Sequence, residues 1–252
     1  MFNRRFLYVT LTSILAILFH LNALAQSVNQ SKMIKESDSL RKQSSKKEKL
    51  SLAPTAEDKA SFAEFLKQRN TGLIRILPRG LYEGRIKIRG AGAYYSFTRL
   101  THEYGYGSDI ELQMFPLIPS SDDASPLIPP YIFLTGFAGA DYGFFVPLGD
   151  VPLEEVKLEH DGVKLLAGYR PPSAEPRARA EARLAGYGFK QGLYEYKHDA
   201  AVIVNCTYAL RSIVYDRSDV LVAFRVVRQE IDGSVVILWK MLKRFSPPAL
   251  AR

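Results

Sequence analysis

Two long runs near the C-terminus constrain the fold more than anything else in this chain. Asp219 to Gln229 and Ser234 to Lys243 are rich in β-branched and aromatic residues, and Asp232-Gly233 between them is a strong hairpin signal. Successive side chains of a strand point to opposite faces. Val220, Val222, Phe224 and Val226 therefore share one face, and Leu221, Ala223 and Val227 share the other. A strand that is apolar on both faces has to be covered on both. The two runs predict a central antiparallel hairpin between two layers, with Tyr208 to Tyr215 as the strand beside it.

The rest of the pattern fits the same architecture. Leu73 to Leu77 is a short apolar run, and Arg85 to Arg89 alternates charge with isoleucine. Ala93 to Tyr104, Asp109 to Met114, Tyr131 to Phe137 and Tyr142 to Leu148 read as further strands. Val163 to Tyr169 and Gly192 to Tyr196 are weaker strand candidates, and Ala201 to Cys206 reads as a buried strand. Thr55 with Asp58 three residues on resembles a capping box, and Phe62, Phe65 and Leu66 follow at helical spacing, which predicts a helix of about 14 residues ended by Asn70-Thr71-Gly72. Glu175 to Ala185 predicts a second helix, with Pro176 in its first turn and Gly186 at its stop. The expected fold is α+β and β-dominated: mainly antiparallel sheet with one or two flanking helices and a C-terminal β-hairpin. It occupies residues 54–246 as a single domain, and 247–252 form a short tail.

Two stretches fall outside this domain pattern. Residues 1–25 have the parts of a cleavable signal peptide: Arg4-Arg5, an apolar stretch from Leu7 to Leu21, and the small-x-small site Ala23-Leu24-Ala25 before Gln26. The apolar stretch is shorter than the roughly 20 residues of a spanning helix. Residues 26–53 crowd Lys32, Lys35, Arg41, Lys42, Lys46, Lys47 and Lys49 among polar residues, the composition of a basic disordered leader. Removing Arg4 and Arg5 lowers the formal excess of +8 to +6, and much of it sits in this leader. The chain is thus expected to be exported, periplasmic or secreted, with no transmembrane segment after cleavage. Nucleic acid is excluded as a partner on export and on the absence of any nucleic-acid module. A cell-envelope protein, a glycan or an anionic surface fits better. Phe115 to Pro130 holds five prolines and predicts a protruding loop.

No motif assigns a reaction. Cys206 is the single cysteine, so no internal disulfide forms, and its apolar neighbourhood gives it no activating base. His102-Glu103, His160-Asp161 and His198-Asp199 lack the spacing of a metal helix, and no cofactor fingerprint is complete. The stretch with most chemistry runs from Arg99 through His102, Tyr104, Tyr106 and Asp109 to Glu111. A second, Gly136 to Gly143, contributes Asp141 and Tyr142. Tyrosine faces stack on sugar rings and carboxylates bond hydroxyls, so these eight residues are the candidate ligand site. The first expectation is a non-catalytic envelope or secreted binding domain. The alternatives are a carboxylate-dependent hydrolase of an envelope polymer or glycan, for which Asp109, Glu111 and Asp141 supply paired acids, and a structural domain tethered to a surface.

Overall fold

The computed structural model describes residues 52–82, 88–102, 104–105, 107–113, 130–135 and 141–251. Residues 51–252 form one compact unit. The signal peptide, nearly all of the basic leader, Arg85 to Lys87, the proline-rich loop before Pro130, Tyr106 and Gly136 to Ala140 lie outside the described residues.

The expected hairpin is the centre of the molecule. Strands β10 (Ser218–Gln229) and β11 (Val235–Phe245) pair antiparallel, with Phe224 opposite Trp239 and Val226 opposite Ile237. The connecting loop closes through the Glu230 N–H donating to the Ser234 carbonyl, and Gly233 takes the left-handed φ of +79° that the turn requires. Strand β9 (Thr207–Val214) flanks β10, β5 (Tyr142–Gly149) flanks β9, and β1 (Thr71–Ile76) flanks β11. The result is a five-stranded antiparallel sheet in the order β1-β11-β10-β9-β5.

Both faces of this sheet are covered. Val220, Val222, Phe224 and Val226 face a second sheet made of β2 (Tyr94–Tyr95), β3 (Ile110–Gln113), β4 (Tyr131–Leu134) and β8 (Asp199–Ala201), in that order. Ile110, Leu112, Ile132 and Ala200 are its inward residues. Leu221 and Ala223 face a layer of helices on the other side. Each fully buried side chain of this size contributes about 1.5–3 kcal/mol, so the interior strands hold most of the stability.

In chain order the helices are α1 (Ala56–Ser61), α2 (Ala63–Leu66), α3 (Arg79–Tyr82), α4 (Asp161–Gly168) and α5 (Glu175–Tyr187). A 3-10 turn spans Leu153–Glu155. The capping box of α1 forms, with Thr55 and Asp58 bonding each other's backbone N–H groups. The single expected helix is instead two, because Phe62 leaves helical geometry at φ −110°, ψ 17°. The second expected helix is α5, which Gly188 rather than Gly186 ends. Its inward residues Ala178 and Ala185 are small and permit close approach to the sheet.

Three further expectations, all of strands, change. Val163 to Tyr169 is largely helix α4: Val163 and Leu166 are buried three residues apart, and the His160 side chain accepts the Gly162 N–H at its start. Among the described residues of Ala93 to Tyr104 only Tyr94–Tyr95 form a strand, followed by an isolated bridge from Ser96 to Thr101 around turns at Phe97 to Leu100. Ala201 to Cys206 leaves the sheet after Ala201 and turns at Asn205, whose φ is +64°, although Cys206 is a core residue as expected. A small hairpin of β6 (Phe189–Gln191) and β7 (Tyr194–Tyr196) follows α5. Beyond β11, Ala251 donates its N–H to the Ser173 carbonyl, which ties the last residues to the helix layer. No helix among the described residues is long and apolar enough to cross a membrane.

Candidate functional site

The expected site residues divide among three places. Asp109 stands just before β3 with 0% exposure. Its Oδ2 accepts the Phe97 N–H at 2.7 Å, and its Oδ1 has no hydrogen-bond partner among the described residues. Burial pushes this carboxyl up to about 6, against the lowering influence of the nearby Ser212 hydroxyl, the Phe97 N–H and the Arg99 charge. Arg99 itself is exposed, and its guanidinium lies beside the bare backbone of Gly107. His102 Nε2 pairs with the Arg75 carbonyl at 3.0 Å, and its ring meets Tyr95 edge-on at 5.1 Å. Burial holds this imidazole below its ordinary pKa, so it is a neutral donor that pins β1.

Glu111 and Tyr104 belong to the outer face of the small sheet. Tyr94 is the cross-strand partner of Glu111. Arg79 of α3 bonds both, at 3.0 Å to the Tyr94 hydroxyl and 3.2 Å to the Glu111 carboxylate. Tyr104 packs edge-on against Tyr94 at 4.8 Å, and Arg89 sits over the Tyr104 ring at 5.0 Å. Burial, then the adjacent Glu111, raises the Tyr94 pKa.

Asp141 and Tyr142 open β5. Asp141 is buried and accepts the Tyr215 N–H at 2.9 Å. Tyr142 faces the helices, where its hydroxyl meets that of Tyr169 at 2.6 Å, and Tyr169 donates to Glu181 at 2.9 Å. Both sheets therefore lie between Tyr142 and Glu111. The three acids Asp109, Glu111 and Asp141 are each held by a different partner, and none of them lines the cleft described next.

The cleft is about 230 Å³ and opens beside β8, between the two sheets. Phe145, Pro147, Ala200 and Tyr208 form its apolar wall, and Tyr131, Glu195, Lys197, Asp199 and Ile203 also line it. Its origin is local. Phe145 and Lys197 exchange both backbone hydrogen bonds, at 2.6 and 3.1 Å. Two residues on, Pro147 has no N–H to extend that pairing. On the other side β8 stops after three residues and the chain turns away, leaving Ile203 56% exposed.

The wall is rigid and the lining is charged. Tyr208 stacks on Phe224 at 5.0 Å, and its hydroxyl donates to the Ala201 carbonyl at 2.7 Å while accepting the Ile203 N–H at 3.2 Å. Burial raises its pKa. Lys197 pairs with Glu195 at 2.9 Å, a hydrogen bond that holds the Glu195 carboxyl below its usual range. His198 meets Asp199 at 3.1 Å. Tyr131 continues into an aromatic row, 6.1 Å from Phe133, which lies 5.8 Å from His198. Sequence reasoning singled out only His198-Asp199 from this group. The available signals were the proline inside the β5 run and the Tyr194-Glu195-Tyr196 alternation.

No protein-family model, curated protein or solved structure matches the chain.

Proposed function

We propose that this chain is an exported binding domain of the cell envelope or its surroundings, and that the cleft beside β8 seats a small, hydroxyl-rich ligand of the glycan class. The cleft carries the reading: an aromatic and apolar wall of Tyr131, Phe145 and Tyr208 stands against Glu195, Lys197 and Asp199. Aromatic faces take the apolar side of a sugar ring, and a few charged groups at the rim bond its hydroxyls. The signal-like residues 1–25 support export. The acids Asp109, Glu111 and Asp141 are engaged within the fold, which favours a binding role over the carboxylate-dependent hydrolase.

The test is a thermal-shift screen of the mature chain from Gln26 against envelope glycan fragments. A ligand specific to the folded state adds about 2.7 kcal/mol of stability at a hundredfold excess over its Kd. The expected result is a clear rise in Tm with one glycan class. Tyr131→Ala and Asp199→Asn should remove that rise while leaving the ligand-free Tm within a few degrees. A shift that both variants retain would move the ligand away from this cleft.

A further inference from the structure

A second surface, separate from the cleft in its chemistry, combines exposed apolar groups with exposed cations. The outermost line of α5 runs through Pro176, Ala180, Arg183 and Tyr187, opposite the buried Ala178 and Ala185. Tyr187 is 82% exposed. Gly188 then leads into the β6–β7 hairpin, whose turn at Gly192 (φ +62°) leaves Leu193 99% exposed at the tip.

The tip is held by its root. Phe189 stacks on Tyr196 at 5.3 Å and meets Phe144 at 5.6 Å, and the Tyr196 hydroxyl donates to the Gly162 carbonyl at 3.1 Å. Leu193 is therefore presented to solvent on an anchored hairpin.

Charge supplies the second observation. Every acid on these elements is occupied: Glu175 pairs with Arg179 at 2.5 Å, Glu181 accepts from Tyr169 at 2.9 Å, and Glu195 pairs with Lys197 at 2.9 Å. Arg177 and Arg183 are exposed and have no salt bridge among the described residues, while Lys190 stands cross-strand from Glu195 and helps to hold that carboxyl low. A face with positive charge and a few protruding apolar groups matches an anionic bilayer, whose head groups attract the cations while tyrosine and leucine enter the interface. A soluble anionic polymer would use the cations and leave Tyr187 and Leu193 in water.

We infer that α5 and the β6–β7 hairpin form a docking face for an anionic lipid bilayer. The experiment is co-sedimentation of the full mature chain with vesicles of phosphatidylcholine, with and without phosphatidylglycerol. Two variants separate this face from the basic leader, which both keep: Tyr187→Ser with Leu193→Asp, and Arg177→Glu with Arg183→Glu. All four side chains are exposed, so both variants should keep the parent Tm. Binding should require phosphatidylglycerol, and each variant should weaken it by about tenfold or more. Parent-like binding by both variants would assign membrane contact to the leader and overturn the inference. Loss in the charge variant alone would also overturn it, in favour of a purely electrostatic contact such as an anionic polymer. Failure of the glycan screen leaves these outcomes unchanged, because none of the four residues lines the cleft.

Discussion

Replacing Asp109 by asparagine should stabilise the protein, and more so as the pH rises. The folded-state pKa is about 6 against an ordinary 3.8. The native state thus holds the proton more tightly than the unfolded chain. The stabilising contribution is complete below the unfolded value and is lost as pH rises through the folded one. A tenfold difference in proton affinity is worth about 1.36 kcal/mol, so at neutral pH and above the buried charge costs about 3 kcal/mol. Asparagine keeps an oxygen for the Phe97 N–H and carries no charge at any pH. The stability gap between variant and parent should therefore widen by about 1.4 kcal/mol between about pH 5 and about pH 8. His102 titrates in the same window with the opposite sign, since burial lowers its pKa and its contribution is lost as pH falls. It is common to both proteins, so the difference cancels it. Asp58, Glu230 and Asp232 have lowered pKa values and act at more acid pH. The assay is urea denaturation followed by the fluorescence of Trp239, the single tryptophan, buried against Phe97 at 5.3 Å. A gap that stays constant or narrows across this range would refute the reasoning, because it would mean that Asp109 is charged at little cost.

Two further substitutions test the large sheet. Arg211 is buried, grips Asp219 through two bonds of 2.9 and 2.8 Å, and donates to the Leu166 and Tyr169 carbonyls at the end of α4. Asp219→Ala leaves that guanidinium uncompensated and should cost about 3–5 kcal/mol in urea unfolding, nearly independent of salt; a loss under about 1 kcal/mol would show that the helix carbonyls alone suffice. A Cβ on Gly143 would lie 2.0 Å from the Arg211 carbonyl oxygen, so Gly143→Ala should lower stability by about 3 kcal/mol or prevent folding, and a parent-like Tm would mean that β5 can move off β9.

The central strands are legible because burial on two faces leaves a periodic trace in one segment: Val220 to Val227 records both layers of cover within eight positions. Helix α5 is legible from Pro176 at its start and the alanine-rich run that lets it lie close to the sheet. Val163 to Tyr169 reads as strand and folds as helix because a short apolar run has no decisive period, and the signal for helix there is a cap from His160. Glu111 lies in a run whose alternation predicts a strand. The alternation holds, since Ile110 and Leu112 point inward, but the face of Glu111 is covered by Arg79 and Tyr94, which no periodicity around residue 111 records. The cleft leaves still less trace. It arises where pairing stops, at Pro147 and after Ala201, and its lining is drawn from β4, β5, β7, β8 and β9 and the links after β7 and β8.

The position of β11 has a consequence for how the molecule comes into being. This last strand is an interior one, seated between β1 and β10, so that Thr71 finds its partner only in Lys240. Emerging from a ribosome N-terminus first, the chain delivers four of the five strands before the one that joins the first of them to the rest. Until then β1 has no neighbour and Val222 and Phe224 present an open edge. Pairings between such distant segments are slow, because loop closure precedes any reward. An order of synthesis that withholds the keystone strand delays closure of the five-stranded sheet until β11 is available.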